Sequence, residues 1–197
     1  MESDQIIATR ARIIEAAKTL FVERGYHGTT MRQIAGAAGI ALGGIYNHFA
    51  TKEEIFEAVA VAYHPFALVL PGLAEVEGDS VEDILRRAAE GIVAVLDPQP
   101  QMMNLLFIEL IELNGRHIQA IAGRVLPAAL PLIARLQALH PPLRTRPPLL
   151  ILRSFLGLII AHLFTADLLR NVQVGEDELG SLDDFMDIYL FGLIGKG

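Results

Sequence analysis

Cysteine is absent from the 197 residues of this sequence. Its absence excludes disulfides, thiolate metal ligands and cysteine nucleophiles, and it is consistent with a reducing cytosol. The first residues, Met1 to Gln5, lack the basic segment and the apolar run of a signal peptide, so we expect no export and a cytoplasmic location. A chain of this length can bury a core without disulfide bonds.

The motifs of common enzymes are missing as well. The sequence has no Gly-x-Ser-x-Gly elbow, no phosphate-binding loop and no His-Glu-x-x-His helix. Its six histidines are scattered, and none forms an i,i+4 pair with another suitable metal ligand on one helix face. The sequence therefore predicts that the protein is not an enzyme, binds no metal ion and needs no cofactor.

Apolar residues make up 52% of the chain, and most of the excess over a typical soluble domain lies after residue 100. The segment Leu149 to Leu169 is long enough to cross a bilayer. It contains Arg153, His162 and Asp167, however, and each of these side chains is costly among lipid tails. We therefore predict a helix buried between neighbouring helices or subunits, and no membrane partner.

Charge is divided unevenly along the chain, whose net charge is −7. The segment from Thr9 to Lys52 carries a net charge of +4, which leaves −11 for the remainder. A basic segment on an acidic body is typical of a protein that contacts DNA with one domain only.

The spacing of apolar residues predicts an all-α protein, because no alternating strand pattern is visible. The first helix has one apolar face and ends near Gly25. The residues of that face are Ile13, Ile14, Ala17, Leu20 and Phe21. Thr30 to Gln33 has the form of a capping box, which starts a second helix that runs to about Ala38.

A short third helix is predicted from about Leu42 to His48, and Thr51 can cap a fourth. Pro65 marks the predicted boundary between domains of residues 1–64 and 65–197, although it could equally be a kink inside the fourth helix. The second domain should contain helices at Ser80–Leu96, Met102–Leu113, His117–Leu139, Leu149–Leu169 and Ser181–Ile194. We expect Pro127 and Pro131 to bend or split the third of these.

The residues around position 40 have the pattern of a helix-turn-helix. Ala35 is small enough for a second helix to cross closely, Gly39 can adopt a positive φ in the turn, and Ile45 can lock the second helix onto the first. With Ile45 and Phe49 facing inward, the side chains between and around them remain on the outer surface. That surface should enter a major groove of DNA.

Between Ile13 and Phe56 the sequence resembles the tetracycline-repressor (TetR) family. The matching residues are Ile14-Glu15-Ala16-Ala17, Leu20-Phe21, Gly25-Tyr26, Thr29-Thr30, Ile34-Ala35, Ala38-Gly39-Ile40, Gly43-Gly44-Ile45-Tyr46-Asn47-His48-Phe49 and Lys52-Glu53. The resemblance implies an N-terminal three-helix DNA-binding domain followed by a larger helical domain for ligand binding and dimerisation. It further implies a double-stranded DNA operator with dyad symmetry, a homodimer formed through the last two helices, and a small-molecule inducer.

By the same resemblance, Thr30, Tyr46, His48 and Lys52 would hold phosphates. Arg32 and the start of the third helix, which comprises Leu42, Gly43 and Gly44, would face bases, and Asn47 would lie on the outward surface. This division suits their chemistry, because hydroxyl, imidazole and ammonium groups donate to phosphates, whereas arginine can grip guanine by two bonds. The sequence departs from the family at Ala41, where a serine or threonine commonly caps the helix, and at Leu42, where a polar residue is frequent.

Several of these residues also have simpler interpretations. Tyr46 and Phe49 could both be core aromatics, although Phe49 alone shares the face of Ile45. Leu42 fits the rim of the core as well as the groove. His48 could be a solvated surface histidine, and Lys52 an ordinary lysine at a helix start.

In the second domain, polar groups within apolar helices are the candidates for ligand binding, because each needs a partner. The polar candidates are Asn104, Glu109, Arg153 and His162, and the apolar Phe107 is a further candidate. Apolar residues at helical spacing, Phe107 among them, line cores more often than pockets. Glu109 and Arg153 could equally form a buried structural ion pair.

The sequence thus predicts a homodimeric repressor that a small, largely apolar inducer releases from a palindromic operator. Repression as opposed to activation is an expectation from the family resemblance. Two alternatives remain open at this point. One is a small-molecule-binding protein or an all-α enzyme whose N-terminal bundle only imitates a DNA reader, and the other is a regulator of the same fold that responds to no small molecule.

Overall fold

The computed structural model describes residues 2–98, 102–139, 146–169, 172 and 176–193, and every element among them is helical. The α-helices are α1 (Glu2–Arg24), α2 (Met31–Ala37), α3 (Leu42–Ile45), α4 (Lys52–Tyr63), α5 (Pro65–Leu73), α6 (Val81–Leu96), α7 (Met103–Phe107), α8 (Ile118–Ala138), α9 (Pro148–Leu169), α10 (Glu176–Leu179) and α11 (Leu182–Leu193). A π-helix, Ile108–Glu112, continues α7.

The chain divides into two compact units. Unit 1 comprises Met1–Leu68 and Gln99–Val125, and unit 2 comprises Val69–Pro98 and Leu126–Gly197. The segment that contains α7 and the π-helix therefore packs with the N-terminal helices, although it lies beyond the predicted domain boundary at Pro65.

In unit 1, α1 packs against α2 and α4 around an apolar core. Ile13, Ala17 and Phe21 are fully buried on α1, as the predicted apolar face requires, whereas Ile14 lies at its edge and is half-buried. The ring of Phe56 on α4 meets that of Phe21 edge-on, with centroids 5.2 Å apart. This core supports the helix-turn-helix on its buried side.

The third helix is shorter than predicted. It ends at Ile45, because Ala41 provides no side-chain cap and Gly43 and Gly44 are poor helix formers. Tyr46 to His48 follow as turn residues, in which the amide of His48 donates to the carbonyl of Ile45 at 3.0 Å. The predicted outward side chains therefore do not all lie on one helix. Some belong to the single helical turn of α3, and the others belong to the turn residues that follow it.

Pro65 separates two helices. Tyr63 ends α4, His64 has an extended backbone with φ −57° and ψ 136°, and α5 begins at Pro65. A residue before proline is disfavoured in the helical region, which accounts for the break. The His64 side chain is buried, and this burial lowers its pKa to about 4.

The predicted helix from Met102 to Leu113 contains a change of helical type. After α7 the backbone widens into the π-helix, and the amide of Leu113 donates to the carbonyl of Ile108 at 3.1 Å. Asn114, at φ 53°, and Gly115, at φ 72°, then end the segment, as the sequence predicts. Single π-turns of this kind occur often at functional sites.

In unit 2, α6, α9 and α11 pack against one another. Arg86 on α6 forms ion pairs with Asp183 and Asp187 on α11, and the hydroxyls of Ser154 on α9 and Tyr189 on α11 are 3.1 Å apart. These polar contacts fix α11 on the other two helices.

Helix α8 is a single helix from Ile118 to Ala138, with Pro127 and Pro131 inside it. Of the two expected outcomes, a bend or a split, the split is wrong: each proline removes one backbone donor while the helix continues on both sides. The segment between the predicted helices His117–Leu139 and Leu149–Leu169 falls mostly outside the described residues, as does Ile194.

Helix α9 is long and apolar enough to cross a membrane by length and composition. Its window from Leu149 to Ala166 has a mean hydropathy of 2.0, and 28% of that window is buried within the chain. The side chain of Arg153, within this window, is exposed.

Candidate DNA-binding site

The turn between α2 and α3 lets the two helices pack closely, as the sequence predicts. Gly39 adopts φ 68°, and Ala35 is buried where the two helices cross. From α1, the guanidinium of Arg12 donates to the carbonyl oxygens of Ala38 and Gly39. A Cβ on Gly39 would lie 3.1 Å from Arg12 Nη2, so glycine serves both the backbone conformation and this contact.

The start of α2 is a complete capping box. The amide of Gln33 donates to Thr30 Oγ1 at 3.3 Å, and the amide of Thr30 donates to Gln33 Oε1 at 2.8 Å. Thr30 and Arg32 are both exposed in the first turn of the helix. Their side chains thus stand at a fixed helix end and face solvent.

The outward surface around α3 is confirmed as exposed in its central part. Tyr46 is 53% exposed and Leu42 41%, and Gly43 and Asn47 are exposed too. Ile45 and Phe49 are buried, so Phe49 is the core aromatic and Tyr46 is not. Gly44 and His48 are half-buried at the edge of this surface.

Lys52 makes a different contact from the one expected. Its ammonium donates to the carbonyl oxygens of Tyr26 and Thr29, both at 2.7 Å, and lies 4.1 Å from the centre of the Tyr26 ring. Burial of the ammonium lowers the pKa of Lys52 below its usual value, against the opposing effect of the Glu112 carboxylate. The side chain therefore holds the turn between α1 and α2.

Glu112 approaches the same turn. Its carboxylate accepts hydrogen bonds from the amides of Tyr26 at 3.3 Å and His27 at 3.0 Å. Sequence analysis did not identify this residue, because a glutamate 86 positions from its partner carries no local signal. Gly25, at φ 72°, was identified as a helix end but not as the residue that leaves space for this carboxylate.

The predicted ligand-binding residues do not form one cluster. Asn104, Phe107 and Glu109 lie in unit 1, and Arg153 and His162 lie in unit 2. Asn104 donates to the carbonyl of Val22 at 3.1 Å. Asn104 and Phe107 both line a cleft of about 240 Å³ between α1 and the α7 segment.

The suggested ion pair of Glu109 with Arg153 is wrong. Glu109 is fully buried, and its carboxylate accepts the backbone amide of His117 at 2.6 Å and the Nδ1 of the same residue at 2.9 Å. A buried carboxylate needs close donors, and His117 provides two. Arg153 is exposed, while His162 is half-buried with its ring 5.0 Å from that of Phe185, and burial lowers the pKa of His162.

Within the described part of the chain, no group of three or more histidine, aspartate and glutamate side chains is arranged to hold a metal ion. The predicted DNA-binding residues that are exposed share one surface, which lies around α2 and α3. Its donors and small residues suit contact with a DNA backbone and with base edges.

Comparison with known proteins agrees with this geometry. Residues 13–59 match the model of a family described as bacterial regulatory proteins, tetR family. A segment of 53 residues is 45% identical to the HTH-type transcriptional repressor KstR2 of Mycobacterium tuberculosis, and it covers 27% of this chain and 26% of that protein. The chain spans 26% to 30% of the length of the curated relatives that it matches first.

The structural likeness covers much more of the chain. FadR of Bacillus subtilis, solved with stearoyl-CoA, has a TM-score of 0.70 at 20% identity over 92% of this chain and 98% of that one. SmeT, the repressor of the Stenotrophomonas maltophilia multidrug efflux pump SmeDEF, has a TM-score of 0.65 at 24% identity over 95% of this chain and 91% of that one. At these identities the likeness shows the fold.

The surface around α2 and α3 lies within residues 13–59, the segment that matches the tetR family of bacterial regulatory proteins. In this segment the chain resembles the transcription regulators of the TetR family.

Proposed function

We propose that this protein is a homodimeric repressor that binds a palindromic DNA operator and leaves it when a small, largely apolar inducer binds. The observation that carries the proposal is the exposed surface around α2 and α3, on which Arg32, Tyr46 and Asn47 face solvent beside a buried, rigid core. The net charge of +4 between Thr9 and Lys52 favours contact with phosphates. The proposed division of the chain is a DNA-binding domain of residues 1–64 and a ligand-binding domain of residues 65–197.

In this proposal Arg32 reads a base, since its guanidinium is exposed at the start of α2 and can form two parallel hydrogen bonds with guanine. Thr30, Tyr46 and His48 hold phosphates and set the register. Leu42, Gly43 and Gly44 lie against the base edges, and Asn47 lies on the same outward surface. The exposed Leu42 is suited to an apolar contact such as a thymine methyl group.

Pairing of two chains is proposed to use α9 and α11, the last long helices. Their exposed apolar side chains are unusual for a solvated surface, and Ile188 and Phe191 are 73% and 72% exposed. The others are Leu149, Leu150, Phe164 and Leu168. An apolar face of this kind is stabilised when a second copy covers it, and a pair of chains presents the two recognition surfaces that a palindrome requires.

The inducer is proposed to bind within unit 2, which supplies most of the proposed ligand-binding domain. Support comes from two proteins of the same fold, because FadR was solved with stearoyl-CoA and SmeT with triclosan. Both ligands have large apolar parts. Arg153 and His162 remain the candidate polar contacts of unit 2, while the contacts of Asn104 and Glu109 give these two residues structural roles in unit 1.

Selection from a random duplex library tests the proposal. Purified chain is expected to enrich one motif with dyad symmetry whose half-sites lie about one helical turn apart. A scrambled duplex of the same length is the control. Recovery of no motif would favour the alternative in which the N-terminal bundle only imitates a DNA reader, and would end the proposal.

A further inference from the structure

The turn between α1 and α2, residues Gly25 to Thr29, is held by two charged side chains that come from different parts of unit 1. Lys52, at the start of α4, donates to the carbonyls of Tyr26 and Thr29. Glu112, at the end of the π-helix, accepts from the amides of Tyr26 and His27. A cation thus binds the acceptors of this turn and an anion binds its donors, and Tyr26 takes part on both sides.

The ammonium of Lys52 has little capacity left for another partner. An ammonium has three N–H donors, and two of them are given to carbonyl oxygens at 2.7 Å. The charge also lies 4.1 Å from the centre of the Tyr26 ring, a favourable distance for a cation–π contact. One N–H remains, so a phosphate contact would have to share an ammonium that these partners already hold.

Glu112 satisfies amides that have lost their helical acceptors. Helix α1 ends at Arg24, and the carbonyl of Val22, which would accept the amide of Tyr26 if the helix continued, instead accepts the side chain of Asn104. The carboxylate can reach the turn because position 25 is glycine. A Cβ there would lie only 2.8 Å from Glu112 Oε1.

The turn leads directly into the surface assigned to DNA. Thr29 anchors it to α1 through hydrogen bonds from its hydroxyl to the carbonyls of Gly25 and Leu20, at 2.9 and 3.2 Å. The next residue, Thr30, caps α2, whose first turn carries Arg32. A shift of the turn therefore moves the start of α2 and both exposed side chains with it.

We propose that Lys52 and Glu112 are positioning residues, which hold the turn between α1 and α2 in the shape that DNA binding requires, and that Lys52 does not contact a phosphate. The inference rests on the proposed function, because it assigns a role in DNA binding. It differs from the expectation for Lys52 drawn from the family resemblance, and it gives Glu112 a role that no sequence motif indicated.

The proposal predicts the opposite sign from simple electrostatics at Glu112. Removal of a negative charge from a DNA-binding protein should strengthen binding, since phosphates repel carboxylates. If Glu112 holds the turn, its removal weakens binding instead. In Glu112→Gln the side-chain amide can accept only one of the two backbone amides, and its NH₂ group faces the other.

Binding to a selected duplex is measured over a range of salt concentrations for the wild-type chain, Lys52→Met, Glu112→Gln and Glu23→Gln. Glu23 is an exposed carboxylate on α1, so its variant is the matched control for loss of one negative charge. We expect Lys52→Met and Glu112→Gln each to bind at least about tenfold more weakly, since charged hydrogen bonds are lost. Glu23→Gln should bind at least as well as wild type.

The salt dependence separates positioning from phosphate contact at Lys52. Loss of a phosphate contact reduces the slope of log K against log salt by about 0.9 for each contact. We expect Lys52→Met to keep the wild-type slope. A slope reduced by that amount, or a Glu112→Gln chain that binds as tightly as wild type, would overturn the proposal.

Hydrogen exchange of the free, full-length chain tests, without DNA, whether Glu112 holds the turn between α1 and α2. The amides of Tyr26 and His27 should be protected in the wild type and lose protection in Glu112→Gln, while amides within α6 stay unchanged. Unchanged protection at Tyr26 and His27 would also overturn the proposal. If the wild-type chain prefers no duplex, the proposed function fails, whereas the exchange result still decides whether the turn is held. Lys52 and Glu112 act from opposite sides, so either variant serves if the other does not fold.

Discussion

Two exposed surfaces of this chain have opposite chemistry. The surface around α2 and α3 presents a hydroxyl, a guanidinium, a glycine and an amide, through Thr30, Arg32, Gly43 and Asn47. The surface of α9 and α11 presents large apolar side chains, with Ile188 and Phe191 the most exposed. The first can exchange water for phosphates and bases, and the second is stabilised only when another apolar surface covers it. This difference supports our proposal that one surface binds DNA and the other a second copy of the chain.

The largest expected effect on pairing and on DNA binding comes from a charge placed in the apolar surface of α9 and α11. Ile188→Asp places a charge in the proposed interface, where desolvation without a partner is costly. We expect the variant to remain folded but monomeric at micromolar concentrations and to lose binding to the palindrome. Sedimentation velocity measures the state of association.

Val95→Asp is the matched control for this experiment. Val95 is an exposed valine on α6, outside the helices of the proposed interface, and its variant should pair as the wild type does. A paired Ile188→Asp chain would show that α11 is not in the interface.

Acid should destabilise unit 1 through the protonation of His64. Burial lowers the pKa of His64 to about 4, below its unfolded value near 6.5. As the pH falls through this window, the unfolded chain takes up the proton first, so the free energy of unfolding decreases. Above pH 6.5 His64 is neutral in both the folded and the unfolded chain, and its protonation does not reduce the free energy of unfolding. By pH 4 uptake of the proton by the unfolded chain has lowered the free energy of unfolding by about 3 kcal/mol.

Urea unfolding at pH 7 and pH 4.5 measures this loss. The near-ultraviolet tyrosine signal is suitable, because Tyr26, Tyr46 and Tyr63 lie in unit 1. In His64→Gln the dependence on pH should be shallower. Equal slopes in both chains would mean that groups other than His64 account for the acid sensitivity.

Base reading at the polar surface is tested by Arg32→Ala. Each bidentate contact to guanine contributes about 1–3 kcal/mol of discrimination, so the variant should lose preference among duplexes more than it loses affinity. Competition between the selected site and single-base variants measures the preference. Arg24→Ala, which removes an exposed arginine at the end of α1, should keep the wild-type preference. Full preference in Arg32→Ala would remove the assignment of base reading to this residue.

A smaller effect is expected at the start of α3. Ala41 makes no side-chain hydrogen bond there, and a serine could accept one from the helix. Ala41→Ser should therefore stabilise the chain by up to about 1 kcal/mol, measured by urea unfolding. Ala37→Ser, at the end of α2, provides no cap and is the control. No difference between the two variants would indicate that α3 is held by Ile45 alone.

Features with local causes could be predicted from the sequence. The end of α1 at Gly25, the capping box at Thr30 and the buried positions Ile45 and Phe49 depend on residues within a few positions of one another, and the structure has all of them. The helix-turn-helix is a short motif of this kind. Its fold and its exposed surface were therefore accessible without coordinates.

Features that depend on distant packing could not be predicted. Nothing near Glu112 in the sequence indicates that it reaches the amides of Tyr26 and His27, and nothing near Glu109 indicates that its partner is His117. The continuity of α8 was uncertain for another reason, since its two prolines were compatible with a bend or with a split, and the helix is not split. The polar residues of the second domain carried no motif, so their roles depended on contacts seen only in the fold.

The central claim is that a pair of chains reads DNA through the surface around α2 and α3. Its most direct test is the affinity ratio between the selected palindrome and a scrambled duplex at physiological salt, together with the number of chains bound. We expect a ratio of at least about 10³, with chains bound in even number. Equal affinity for the two duplexes, or one chain on each palindrome, would contradict the account.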